Sequence, residues 1–200
     1  MTSALMTIRD AVPADAPELA ALKLKTFRET FLEGFGVPYP PADLAIFEEE
    51  SYSVAKVMAE LADPSHRTWV AEVVSGGPPD APQLVAYAHV GPCKLPHPDV
   101  RPREMELYQL YMRRTAQGTG LGKALMDRAM GFLERHGPDD GAGGGVAPRI
   151  WLGVWTGNDR AQAFYRRLGF AVVGAYQFPV GAWRDDELIM RRDPAVSPGG

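Results

Sequence analysis

Apolar and polar positions along the chain fall into two rhythms. Seven stretches alternate with a period of two or run apolar throughout: LMTIRDA (5–11), RTWVAEVV (67–74), LVAYAHVG (84–91), MELYQLYM (105–112), RIWLGVW (149–155), FAVVGAYQF (170–178) and ELIMRR (187–192). These predict strands. Between them the spacing is helical. Pro13, followed by Asp15 and Glu18, opens a helix to about Phe31, with Leu19, Leu22, Phe27 and Phe31 in its apolar stripe. A second helix runs from near Pro41 to about Leu61. In a third, Leu121, Leu125, Ala129, Phe132 and His136 share one face until Gly137 stops it. NDRAQAFYRRLG (158–169) is a short fourth. The segment 105–112 is apolar and aromatic almost throughout, as a central strand covered on both faces requires, whereas 67–74 and 84–91 read as an antiparallel pair. The order β, α, α, β, β, β, α, β, α, β, β mixes a parallel crossover with hairpins. It predicts an α/β fold, a three-layer mixed sheet of about seven strands flanked by helices.

Composition narrows the class. With 200 residues, 46% of them hydrophobic, the chain can bury one core, so residues 1–193 are expected to form a single domain and 194–200 a flexible tail. SGGPPDAPQ (75–83) and GPDDGAGGGVAP (137–148) read as surface loops. A net charge of −4 disfavours a nucleic-acid partner, and the lone Cys93 cannot form an internal bridge. No run approaches the roughly 18 apolar residues of a membrane span, and the opening residues lack the basic start and apolar stretch of a secretion signal. A cytoplasmic protein with no membrane partner is expected. The four histidines show no close ligand spacing, so no metal is expected.

The candidate chemistry begins at RRTAQGTGLGKALMDRAM (113–130), where Gly118, Gly120 and Gly122 stand at alternate positions between a buried strand and a helix. A Rossmann fingerprint counted from Gly118 would need glycine at Lys123. A Walker A loop would need glycine at Gln117 and Ser or Thr at Ala124. Neither fits. Yet a helix that starts right after a buried strand presents free N–H groups and the positive end of its dipole, and bare glycines let a diphosphate approach them. Lys123 can add charge. A loop that needs glycine only for its backbone angles is the alternative.

Gln117-Gly118-Thr119-Gly120-Leu121-Gly122 resembles the Gln/Arg-x-x-Gly-x-Gly/Ala signature of the GNAT superfamily of N-acetyltransferases. About forty residues on, Asn158, Ala161, Phe164-Tyr165 and Leu168-Gly169-Phe170 are similar to that family's Asn-x-x-Ala-x-x-Phe-Tyr-x-x-x-Gly-Phe pattern. The resemblance implies a GNAT-like fold, acetyl-CoA as co-substrate and a direct attack by an amine without an acyl-enzyme. It assigns the pyrophosphate to the loop around residues 117–123 and the pantetheine arm to the backbone of Leu110, Tyr111 and Met112; Lys123, Asn158, Ala161 and Tyr165 are further candidate cofactor contacts, Asn158 offering its amide outward and Ala161 leaving room for a ligand chain. Helical geometry agrees, since Asn158 and Tyr165 project from nearly one side with the small Ala161 between them, while Phe164 and Leu168 point into the core. Homodimers are common in the family.

An alkylammonium is only about one part in 10³ neutral at pH 7, so a base must take its proton, and the departing thiolate needs a donor. By resemblance Tyr165 is the candidate acid at sulfur. Glu106, eleven residues before Gln117, is the candidate base, and its apolar neighbours Met105, Leu107 and Leu110 would raise its pKa. The alternatives are a Glu106 in solvent or paired with an arginine, and Glu104 as competitor. Cys93 lies outside both motifs and reads as a structural thiol. The acceptor is expected to be a small primary amine. The segment from Trp151 to Met190 is similar to PaiA-type members, some of which acetylate polyamines, and TFRETF (26–31) looks like the same subgroup. Phe27 and Phe31 then belong either to the core or, with Tyr39, to an acceptor-pocket wall. The acids at 48–50 are either a solvated face or a lure for a polycation, and Asp185 and Asp186 are expected in the last hairpin turn. A GNAT-fold CoA sensor without turnover, or an acetyltransferase of peptide amines, is the rival reading.

Overall fold

All seven predicted strands form. The computed structural model describes residues 5–74, 82–135 and 149–194. Its elements are β1 (Leu5–Asp10), α1 (Ala16–Phe27), α2 (Pro41–Tyr52), α3 (Val54–Ala62), β2 (Arg67–Val74), β3 (Gln83–Pro92), β4 (Met105–Met112), α4 (Leu121–Leu133), β5 (Ile150–Trp155), α5 (Asp159–Arg167), β6 (Ala171–Val180) and β7 (Trp183–Arg192). The strands make one sheet in the order β1-β2-β3-β4-β5-β7-β6, with the apolar β4 in the middle. Every neighbouring pair is antiparallel except β4 and β5, which α4 joins by a crossover.

Helices cover both faces, giving the expected three layers. On one face Leu121, Leu125, Met126, Ala129 and Leu133 of α4 bury against Ala71, Ala86, Ala88, Val90, Leu107 and Leu152, and Phe164 and Leu168 of α5 join them as expected. On the other, Leu19 and Leu22 of α1 and Val57 of α3 pack on Val70, Leu84 and Tyr87. Beside this, Phe27, Phe31, Tyr39, Phe47, Tyr52 and Val180 form an aromatic cluster. No helix among the described residues is long and apolar enough to cross a membrane.

Three expectations need correction. The helix predicted from Pro41 to Leu61 is two helices, broken at Ser53, whose backbone is extended (φ −62°, ψ 150°). The break lets Phe47 and Tyr52 face the aromatic cluster while Val57 turns to the α1 core, two directions one straight helix would not serve. The first helix passes through a π turn at residues 28–32, which keeps the Phe27 and Phe31 rings 5.0 Å apart. Asp185 and Asp186 lie within β7 and pair with Phe178 and Gln177, because the turn is made earlier, at Gly181 and Ala182. His136, Gly137, the glycine-rich 137–148 segment and nearly all of 75–83 lie outside the described residues.

Glu104 and Glu106, competitors in the sequence, part company here. Glu104 is buried and receives Arg149 Nε at 2.6 Å, Trp151 Nε1 at 2.7 Å and the Arg101 N–H at 3.0 Å, tying β4 to the start of β5. Removing one partner of such a pair strands the other charge. Glu104→Ala is therefore expected to cost about 3 kcal/mol of unfolding free energy, read from urea midpoints at constant m-value.

Candidate active site

β4 and β5 start as neighbours and then separate. They pair at Met105/Ile150, Glu106/Trp151 and Leu107/Leu152 and no further, whereas β4 stays paired to β3 through Met112. From Tyr108 to Met112, β4 therefore has a backbone edge that no strand covers on the β5 side. β5 is held on its other flank by β7 over its whole length. A β-bulge at Tyr108 shifts the register against β3, from Val90/Leu107 to His89/Gln109. Because a strand alternates faces, the bulge brings Glu106 before it and Gln109 and Tyr111 after it to the same cavity, while Leu107, Leu110 and Met112 pack toward α4.

The cavity in the splay has a volume of about 480 Å³. Of the residues singled out in the sequence, Glu106, Leu110, Tyr111, Asn158, Ala161 and Tyr165 all line it. Asn158 caps α5 by accepting the Ala161 N–H at 3.0 Å, and this fixes the turn that presents Ala161 and then Tyr165. The Tyr165 ring packs edge-on against Phe170, and burial pushes its hydroxyl up to about 12. A phenol that holds its proton this firmly stays a donor at neutral pH.

Glu106 is buried and has no arginine partner among the described residues. Its Oε2 accepts the Lys94 N–H at 2.9 Å, and the Cys93 thiol faces it. The Tyr108 hydroxyl holds the Pro92 carbonyl, which anchors the segment carrying those two donors. Burial is the main cause that pushes the Glu106 carboxyl up to about 7, with the Lys94 N–H opposing it and Glu187 adding to it. Cys93 is half-buried, and burial pushes its thiol up to about 12, so it is a poor thiolate.

The glycine loop lies against the open ends of β4 and α5. Gly118 and Gly120 have φ of 78° and 86°, and a Cβ at either would meet no atom within 4 Å, so both face open space. Gly122 is different: a Cβ there would come within 2.5 Å of Met112 Cε, so glycine lets the end of β4 press on the first turn of α4. No side chain caps that helix, whose N-cap is Gly120. The N–H groups of its first turn keep their donor capacity for a ligand. Gln117 receives Arg160 of α5 at 3.3 Å, linking the two motifs, and Thr119 Oγ1 donates to the Ala116 carbonyl at 2.7 Å. The side chain of Leu121 is core, so only its backbone can face a ligand. Lys123 is exposed and its ammonium sits 2.6 Å from Asp127 one turn on. That i,i+4 pair competes with any phosphate role for it.

The aromatic wall resolves the question of Phe27 and Phe31. Both are buried and both line the cavity, with Phe47, Trp155 and Phe178. Tyr39 stands behind that wall and donates to Asp185. Glu48 pairs with Arg28, so only Glu49 and Glu50 are open to solvent. Sequence reasoning missed several residues. Glu187 and Tyr176 enter from β7 and β6, with Tyr176 Oη donating to Glu187 Oε2 at 2.6 Å. Their signal was the two-residue period of β7, which sets Asp185, Glu187 and Ile189 on one face and Leu188 and Met190 on the other. His66 and His89, far apart in sequence, meet at 2.9 Å on the opposite cavity wall, and burial lowers the pKa of both.

Comparisons with known proteins agree with this geometry. The sequence profile of the acetyltransferase (GNAT) family matches residues 24–170. An uncharacterized N-acetyltransferase of Mycobacterium bovis is 31% identical over 185 residues, covering 90% of this chain and 97% of its own. One from the pepI 3' region of Lactobacillus delbrueckii subsp. lactis is 27% identical over 178 residues, 89% and 91% of the two chains. Among solved structures, the PaiA N-acetyltransferase of Thermoplasma acidophilum in complex with coenzyme A shares the fold at a TM-score of 0.65, with 17% identity over 94% of this chain and 99% of that one. YncA of Salmonella typhimurium, solved with its cofactor acetyl-CoA, superposes at 0.64 with 20% identity over 97% and 96%. With the profile spanning most of the chain and the splayed strands and glycine loop in place, the protein belongs to the GNAT family, the acetyl-CoA-dependent N-acetyltransferases.

Proposed function

We propose that the protein moves the acetyl group of acetyl-CoA directly to the primary amine of a small molecule in the cytoplasm, a polyamine being the acceptor that the acidic cavity suits best. One observation carries the reading: a single cavity in the β4–β5 splay joins the firmly protonated Tyr165 to Glu106, Asp185 and Glu187. None of those three carboxylates has an ion-pair partner among the described residues; their hydrogen bonds come from tyrosine, tryptophan, the Cys93 thiol and a backbone donor. Lys56 and Lys94 also border the cavity and the Lys94 charge steadies Glu106, but no cation acts on Glu187, and a carboxylate out of water without one favours a cationic guest.

The residues fit the co-substrate. The open faces of Gly118 and Gly120 and the uncapped first turn of α4 offer main-chain donors to a diphosphate, and the uncovered edge of β4 at Leu110, Tyr111 and Met112 offers strand-like pairing to an amide-bearing arm. Asn158 and Ala161 border that arm, the alanine leaving it room. Acetyl-CoA supplies an activated acetyl thioester. Glu106 takes the proton of the acceptor ammonium, which frees the nitrogen lone pair to form the new C–N bond as the C–S bond breaks. Tyr165 gives its proton to the departing sulfur, and the second proton that the nitrogen sheds on becoming an amide passes to the Tyr165 oxygen, so the phenol ends the step protonated. Tyr165→Phe is expected to lower kcat by about 10²-fold while the Kd for acetyl-CoA stays unchanged.

Release of free thiol from acetyl-CoA across a panel of amines tests the reading. Spermidine and simple diamines are expected to be acetylated, and product mass identifies the modified nitrogen. Turnover with peptides alone would move the acceptor class to proteins, and binding of acetyl-CoA without thiol release on any amine would make the protein a CoA sensor.

A further inference from the structure

Glu187 stands apart from the motifs that mark the family, yet its surroundings are arranged around its carboxylate. Trp155 of β5 and Tyr176 of β6 are its two register neighbours, so it projects from β7 into the cavity between an indole and a phenol. Tyr176 Oη holds Oε2 at 2.6 Å. The space below the carboxylate exists because position 153 of β5 is glycine: a Cβ there would lie 2.7 Å from Glu187 Oε2 and 2.9 Å from Tyr176 Oη. Gly153 directly follows Leu152, the last β5 residue paired with β4, so the carboxylate sits where the splay opens. Around Glu187 stand Tyr176 from β6, Asp185 on its own strand, and Glu106 and Tyr111 from β4; Cys93, between β3 and β4, lies behind Tyr176. None of these is a cation; the Lys94 ammonium, over the Tyr108 ring, acts on Glu106 but not on Glu187.

We infer that Glu187, oriented by Tyr176 over Gly153, is the acceptor-binding carboxylate that holds the substrate's ammonium group beside Glu106. This rests on the acetyltransferase reading and adds the residue that selects a cationic acceptor. The Glu187 charge disfavours ionisation of Glu106, and burial holds each carboxyl near pH 7. An arriving ammonium supplies the missing charge, so binding itself draws both into the ionised form, which the acceptor site needs for affinity and Glu106 needs to take a proton.

The probe is spermidine, titrated calorimetrically into wild-type protein, Glu187→Gln and Tyr176→Phe, each saturated with CoA. Glu187→Gln is expected to weaken spermidine about tenfold or more and to leave the CoA affinity alone. Tyr176→Phe removes a hydrogen bond that favours the ionised carboxylate and is expected to weaken spermidine in the same direction by less. In turnover, Glu187→Gln should raise the acceptor KM and move the acid limb of the kcat/KM profile to lower pH, because Glu106 loses a like-charged neighbour; a residue needed only for folding would not move that limb. If Glu187→Gln is poorly folded, Gly153→Ala serves instead, its methyl displacing the carboxylate with the charge retained. Spermidine binding equal in all variants, or undetectable in the wild type, would overturn the inference. Thiol release with unchanged spermidine affinity in the variants would sink the role of Glu187 alone; spermidine held through Glu187 without thiol release would sink acetyl transfer and leave Glu187 as a cation-binding group.

Discussion

Glu106→Gln is expected to lower kcat/KM by about 10²- to 10⁴-fold and to erase the limb of the pH profile that rises through about pH 7 in the wild-type enzyme. The sign follows from the role. A base acts only when ionised, burial raises the proton affinity of Glu106, and activity therefore grows as pH climbs through the pKa of the carboxyl. Glutamine keeps the shape and can still accept the Lys94 N–H, so the protein should fold and bind acetyl-CoA as before. Three findings fix this carboxyl in place: the Tyr108 bulge that sets the face, the Lys94 N–H that orients one oxygen, and Trp151 as its partner across β5. A wild-type kcat/KM profile for the amine, measured below saturation in amine at saturating acetyl-CoA and compared with the variant over pH 5 to 9, gives the answer. An unchanged limb would put the base elsewhere, with Glu187 the next carboxylate in the same cavity.

The strands and the two motif segments were legible in the chain because their information is local. A period of two needs only neighbours in sequence, and Gln117 to Gly122 and Asn158 to Phe170 each form one turn or one short helix, with Asn158 capping as its position suggests. What could not be read depends on which elements meet. Glu104 and Glu106 are two apart on one strand and look alike in sequence; Arg149 and Trp151, some 45 residues on, make one a structural anchor and leave the other facing a cavity. Glu187 gave no motif, since its partners Tyr176 and Gly153 come from two other strands of the sheet. Lys123 shows the converse. Its place in the loop suggests a phosphate contact, and the exposed Asp127, one helical turn away, is a competitor for the ammonium that the loop motif does not announce. The Ser53 break also has a nonlocal cause, the need of α2 and α3 to fill separate cores.

Replacing Gly120 by valine is expected to weaken acetyl-CoA binding by about 10²-fold. Two causes act together. The residue has φ of 86°, a conformation that costs an L residue about 1–2 kcal/mol and a β-branched one more. It is also the N-cap of α4, so a shift in its backbone turns the first N–H groups of that helix away from the diphosphate, each charge-assisted contact being worth about 1.5–3 kcal/mol. A control separates strain from ligand loss. Gly36 has a similar φ of 66°, and a Cβ there would likewise meet no atom within 4 Å, yet it lies in the loop before α2 and caps no helix, the N-cap of α2 being Pro40. Gly36→Val should therefore lose comparable stability while keeping the full rise in melting temperature that acetyl-CoA gives the wild type. Gly120→Val should lose that rise. Equal ligand shifts in the two variants would mean that the loop needs glycine for its own geometry alone and that the diphosphate is held elsewhere.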